Sequence, residues 1–301
     1  MGKVYIGISG WRYPPWRGVF YPPKLTQARE LEFSSRAVRS IEINGSFYSL
    51  QCPESYAAWY AATPAEFIFS VKGNRYLTHI LRLRDIEKPL ANVFASGVFN
   101  LREKLGPFLW QFPPSFRYAP EQLEHFFSLL PHDTEQALAL ARKRDLNMKG
   151  RTRLAIDANR PIRHAMEIRN ASFIDASFIA LLRKYRIALV VADTAGKWPY
   201  CEDVTSDFMY LRLHGDKELY ASGYTDKALD RWAARINAWS KGGEPSDAQR
   251  IFSENASPLS SRDVYCYFDN DIKVRAPFDA RTLMAKLGVD AGLAPLPLWP
   301  G

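Results

Sequence analysis

The 301 residues are 47% hydrophobic and 24% charged, a globular composition that excludes a disordered or fibrous chain. Three distant cysteines, Cys52, Cys201 and Cys266, exclude a disulfide framework and a CxxC metal ribbon. Forty Lys and Arg against 32 Asp and Glu leave a net charge of +8, spread without a basic tail, which favours anionic partners.

The first apolar run, Val4–Ile8, is too short for a signal peptide, and no run reaches membrane-spanning length. A cytoplasmic protein with no membrane partner is the expectation. In chain order, apolar, β-branched or aromatic runs predict strands at Val4–Ile8, Ser40–Ile43, Phe67–Val71, Phe108–Phe112, Ala165–Ile168, Ala188–Ala192, Phe208–Leu213 and Val264–Phe268. Helical patterns fall between them, at Leu25–Val38, Ser55–Ala62, Ile86–Lys104, Pro120–Leu129, Ile174–Tyr185, Asp226–Trp239 and Asp279–Leu287. Thr225, Asp279 and Asp85 read as N-caps.

Eight strands alternating with helices predict an α/β fold, a (β/α)8 TIM barrel in one domain, with the barrel over about residues 4–287. The strand runs are continuously apolar, as parallel strands buried on both faces must be. A doubly wound dinucleotide fold is the rival, and its GxGxxG signature is missing after the first strand. Residues 132–163 hold a helical piece and then a loop. Residues 241–263, rich in Gly, Ser, Pro and Asp, read as a mobile surface loop.

Chemistry in this fold sits where the strands end. Strand one leads into Ser9 and then Trp11, Tyr13 and Trp16, aromatic rings able either to pack over the barrel end or to stack on a sugar or a base. Later strands close on Glu42 and Asn44, then Lys72 with Arg75 and His79, then Gln111, Glu167 with Arg169, and Asp193. The last two deliver Arg212 with His214, and Asp269, Asn270 and Asp271. The period of two puts Glu42 with Asn44, Glu167 with Arg169, and Arg212 with His214 on shared faces. Such mixed charge tolerates burial only as a hydrogen-bonded network. A purely structural salt-bridge network is the plainer reading of this rim.

The stretches Gly7–Trp16, Ile41–Tyr48, Phe69–Lys72 with Thr78-His79, Lys104–Pro107, Gln111–Phe116, Arg212–Gly215 and Tyr267–Asp271 resemble, in order, the YecE-like family, a domain of unknown function. The resemblance implies a TIM barrel distantly similar to endonuclease IV and sugar isomerase barrels, and no established reaction. It departs at strand five, where the family usually reads Glu-x-Arg-His and this chain has Asn170, which hydrogen-bonds but cannot titrate.

Three functional expectations follow. The first is an enzyme binding a small anionic or polyhydroxylated, phosphate- or sugar-like molecule. Lys72, Arg169 and Arg212 would hold its charge, Glu42, Glu167, His214 and Asp269 would move protons, and Trp11, Tyr13, Trp16, Asn44, Arg75, His79, Gln111, Asp193 and Asn270 would contact it. The second is a nucleic-acid-binding or -processing barrel, motivated by the net charge and by Arg12, Arg17, Lys24, Arg82 and Arg84 in the loops. The third is a ligand-binding barrel without chemistry. No cofactor is expected. A trinuclear site rich in His is improbable with only 5 His, and the fixed cations should sit where a metal would, against carboxylates such as Glu42, Glu167, Asp193 and Asp269.

Overall fold

The structure, a computed structural model, describes residues 1–217, 219, 222–270 and 273–297. Asp271, the last residue of the strand-eight motif, lies outside the described residues.

All eight expected strands are present: β1 (Val4–Ser9), β2 (Ser40–Ile43), β3 (Ile68–Lys72), β4 (Leu105–Gln111), β5 (His164–Glu167), β6 (Ala188–Asp193), β7 (Phe208–Leu213) and β8 (Asp263–Phe268). They hydrogen-bond as a closed barrel in the order β1 to β8. The described helices are α1 (Glu30–Ala37), α2 (Gly45–Tyr48), α3 (Pro53–Ala62), α4 (Glu87–Ala95), α5 (Pro120–Leu129), α6 (Thr134–Ala141), α7 (Ala176–Tyr185), α8 (Asp226–Ser240) and α9 (Ala276–Leu287). Helices between consecutive parallel strands make this a (β/α)8 TIM barrel.

Two compact units make up the chain. Residues 1–42 and 188–301 form the first, with β6, β7, β8, β1 and most of β2. Every residue of β7 is buried, the signature of a strand covered on both faces. The register pairs Ser9 with Glu42, and Arg212 with Tyr267. The polar residues that close these strands therefore stand side by side at their C-terminal ends.

Residues 43–187 form the second unit, with β3, β4 and β5. Here the register sets Lys72 beside Leu109 and Gln111 beside Glu167. Gly73 follows Lys72 because a Cβ there would meet the Trp110 ring at 2.3 Å. Trp110 donates to His164 Nδ1 at 3.1 Å, and His164 Nε2 faces the Pro131 carbonyl at 2.7 Å. His164 is thus a core hydrogen-bonding group, and burial holds its imidazole down at about 3.

Several helix boundaries depart from the sequence pattern. The run from 86 to 104 breaks after α4 at Gly97, whose φ of +108° stops the helix and whose missing Cβ makes room for Pro53. Asp85 is not the cap of α4: Ile86 stands there, and Asp85 lies in the loop at φ +49°. Asp279 lies inside α9, which starts at Ala276, because its carboxylate is engaged elsewhere, accepting from the Tyr224 N–H and the Asn270 side chain. Thr225 does cap α8, its hydroxyl accepting from the Ala228 N–H.

Within the stretch 241–263, residues 241–262 form no helix or strand and Asp263 opens β8, yet the stretch is anchored rather than loose. Buried Asp203 accepts the Ile251 and Phe252 N–H groups at 2.8 and 2.9 Å, and buried Glu202 accepts that of Gln249 at 2.9 Å. The Arg262 head, also buried, donates to the Gly243 and Ser257 carbonyls. Composition marks this stretch as irregular; it is silent on the carboxylates that tie it down.

Candidate functional site

In the first unit the strand ends build one charged network. Glu42 takes the Arg212 guanidinium side-on, with Nη2 at 2.9 Å from Oε1 and Nε at 3.1 Å from Oε2. Ser9 donates to Oε1 at 2.5 Å and Tyr210 to Oε2 at 2.6 Å. Each oxygen of this buried carboxylate accordingly accepts two hydrogen bonds, which is what burial of a charge requires. Tyr210 was not singled out from the sequence, although it lies two residues before Arg212 and shares its face of β7.

The far edge of the Arg212 head meets Asp269, Nη2 to Oδ2 at 2.7 Å, and His214, Nη1 to Nε2 at 3.4 Å. A guanidinium can only donate, so in this contact His214 Nε2 is the acceptor. Nδ1 lies 3.1 Å from Asp269 Oδ2, which completes a Glu42–Arg212–Asp269–His214 cluster. Glu42 and His214 have no exposed side-chain surface and Asp269 has 13%, so within this cluster Asp269 is the group open to a ligand. Arg212 lies between the Glu42 and Asp269 carboxylates. Among the described residues, no three His, Cys, Asp or Glu side chains come together as a metal-ligand set.

Asp193 and Asn270 belong to a neighbouring set. Tyr224 donates to Asp193 at 3.1 Å, and burial raises the Asp193 carboxyl above its ordinary range. Fully buried Asn270 donates to Asp279 at 2.8 Å; burial pushes that carboxyl up to about 6. Of the loop-one aromatics, Trp16 is fully buried against Tyr13, Phe20 and Tyr21 and presents no face to a ligand. Trp11 is buried too, while Tyr13 is half-exposed, its hydroxyl donating to the Ser9 carbonyl.

The second unit carries its own cluster. Glu167, fully buried, accepts from Gln111 at 3.0 Å and from Arg169 Nε at 2.7 Å. Arg169 lies beyond the end of β5 but folds back onto it, so the shared face survives the end of the strand. The Lys72 ammonium stands 4.3 Å from the centre of the Phe47 ring, and His79 packs edge-on against that ring at 5.1 Å. A short π-helix, Tyr76–Ile80, presents His79, with exposed Arg75 just before it. The strand period does not reach Asn44, which is half-buried at the start of α2.

Electrostatics make this cluster cationic. Burial, then the charges of Lys72, Arg75 and Arg169, hold the half-buried His79 imidazole down at about 4, against the opposing pull of Glu167. His79 is therefore neutral at pH 7. Thr78 Oγ1 lies 2.8 Å from Nδ1, and Nε2 has no hydrogen-bond partner among the described residues. Asn170 shows what replaces the usual histidine: its side chain donates to the Pro114 carbonyl at 2.6 Å and caps the turn at Ala171–Phe173.

Residues 5–299 match the family described as "Protein of unknown function DUF72". A stretch of 127 residues is 28% identical to UPF0759 protein YunF of Bacillus subtilis strain 168, covering 40% of this chain and 44% of that protein. Another, of 189 residues, is 25% identical to UPF0759 protein YecE of Escherichia coli K12, covering 58% and 65%. The matched part thus spans less than two thirds of either relative. Among solved structures, a DUF72 family protein of Thermotoga maritima MSB8 superposes with TM-score 0.70 at 23% identity, over 95% of this chain and 99% of that one. One from Enterococcus faecalis V583 gives 0.68 at 16%, over 98% and 99%. At such identities the likeness is one of fold.

Proposed function

The chain belongs to the DUF72 family of proteins of unknown function, and we propose that it is an enzyme that binds a small anionic, phosphate- or sugar-acid-like molecule on the cationic cluster of β3 and β5. One observation carries this reading: around His79 three cations, Lys72, Arg75 and Arg169, act against a single carboxylate, Glu167, which Arg169 already engages. A partly buried excess of positive charge is stabilised most directly by a bound anion. Arg169 supplies a planar fork suited to carboxylate or phosphate, and Lys72 a compact point charge.

His79 is the acid/base group of this set. Burial first and then the cations suppress the imidazole, and a bound anion offsets the cations' share, raising its proton affinity. In the first unit Asp269, held by Arg212 and His214, is the separate candidate for proton transfer, while Glu42 fixes the Arg212 head. Glu167 serves Arg169 and Gln111 in the same supporting way.

Isothermal titration with a hexose phosphate tests the binding step. Lys72→Ala and Arg169→Ala should each weaken binding by about tenfold, the loss of about 1.4 kcal/mol of charge-assisted contact. Affinities are compared at a temperature where all three chains are folded, because Arg169→Ala also leaves buried Glu167 without its ion-pair partner. Equal affinity in wild type and both variants would remove the cluster as the binding site.

A further inference from the structure

Loop three of the barrel carries basic residues that the cluster around His79 does not use. We infer that Arg82, Arg84 and Arg117 form a second anion site, a cradle for a phosphoryl group, independent of the function proposed above. Together with Ser115, Phe116 and Gln122 they line a cavity of about 200 Å³, and no carboxylate among the described residues lines it. None of the three guanidinium groups has an ion-pair partner among the described residues. Elsewhere in the chain, by contrast, buried Arg212 and Arg235 and half-exposed Arg17 and Arg160 all sit on carboxylates.

Arg82 is pre-set for the task. Its Nη1 donates to the Ser115 hydroxyl at 3.1 Å and its Nη2 to the Ser115 carbonyl at 2.8 Å. Its head also lies 5.7 Å from the centre of the Phe116 ring. Those contacts leave other N–H groups of the five-donor fork available to an anion. Arg84 and Arg117 are exposed and bring their charge to the same cavity.

The backbone is held in a costly shape to put these groups there. Arg82, Leu83 and Asp85 have φ values of +51°, +63° and +49°, in the left-handed region that side chains with a Cβ avoid. The conformation is enforced from both sides: Gln122 donates to the Arg82 carbonyl at 2.7 Å, and Leu83 is buried with its N–H on the Leu77 carbonyl. Three such residues within four positions are a concentration of strain of the kind found where a loop presents a ligand contact. The loops follow β3 and β4, at the barrel end where their polar residues stand.

Phosphoryl groups reach such a cradle either on a small molecule or along a nucleic-acid backbone, and the double variant Arg84→Ala/Arg117→Ala separates them. Both side chains are exposed, so the variant should fold like wild type. Inorganic phosphate is followed by titration calorimetry, and a labelled single-stranded oligonucleotide by fluorescence anisotropy over a salt series. Each is run in wild type and in Arg169→Ala, so that loss here is told apart from loss at the cluster around His79. The expected result is about a tenfold loss of affinity in the double variant, in either background. Loss for both probes, with the salt slope of oligonucleotide binding falling by about 1.4 for two lost phosphate contacts, assigns the site to a nucleic-acid backbone. Loss for phosphate alone assigns it to a small phosphorylated molecule. Unchanged affinity for both probes, or no binding of either probe by wild type at low salt, overturns the inference.

Discussion

Glu42 illustrates how one buried residue sets the character of its surroundings. Its oxygens take two N–H groups of Arg212 and two hydroxyls, from Ser9 and Tyr210. Glu42→Gln keeps the shape but turns one acceptor into a donor facing an arginine that has nothing to accept with. We expect urea denaturation to show a loss of about 3 kcal/mol, as when one member of a buried ion pair is removed. Tyr210→Phe, which deletes the hydroxyl that donates to the Glu42 carboxylate, should cost about 2 kcal/mol. A Glu42→Gln chain as stable as wild type would mean that the network is not what holds Arg212 in place.

The elements were legible in the sequence to different depths, for physical reasons. Parallel strands buried on both faces are largely apolar, so each run was visible, and a polar residue in its last two positions or just after it marked the C-terminal end: Glu42, Lys72, Gln111, Glu167, Asp193 and Arg212. The pairing of Arg169 with Glu167 and of His214 with Arg212 followed from the period of two. Helix starts were harder to read, because an acidic residue looks like a cap whatever it binds: Asp279 serves Tyr224 and Asn270 across the fold instead. No periodicity shows that Trp16 is wholly enclosed by its near neighbours Tyr13, Phe20 and Tyr21, and nothing local shows that Lys72 and His79 share the Phe47 ring, since Phe47 lies far from both in the chain.

The stretch 241–263 yields the prediction at this scale. Asp203→Ala removes the acceptor for two N–H groups, and Asp203→Asn removes only part of it. Trypsin should then cut at Arg250 faster in the order Ala, Asn, wild type, as local opening becomes less costly. Identical cleavage rates would show that the loop is held by something other than these carboxylates.

For the whole molecule, the surplus of +8 gives a general attraction for anions, whereas the His79 cluster acts locally, with three cations gathered around one neutral imidazole. Anion binding and His79 protonation must then favour each other, so anion affinity rises as pH falls through the His79 midpoint, and the bound anion moves that midpoint upward. The most direct measurement is an NMR titration of the His79 ring protons against pH, with and without sulfate, which mimics phosphate yet keeps its double charge over the range. Without sulfate the midpoint should lie at about 4, against the ordinary 6.5. With saturating sulfate it should rise by about one unit, or about 1.4 kcal/mol of coupling, and the Arg169→Ala chain should need about tenfold more sulfate to reach its own rise. A midpoint near 6.5 in both conditions, or one that sulfate does not move, would contradict this coupling.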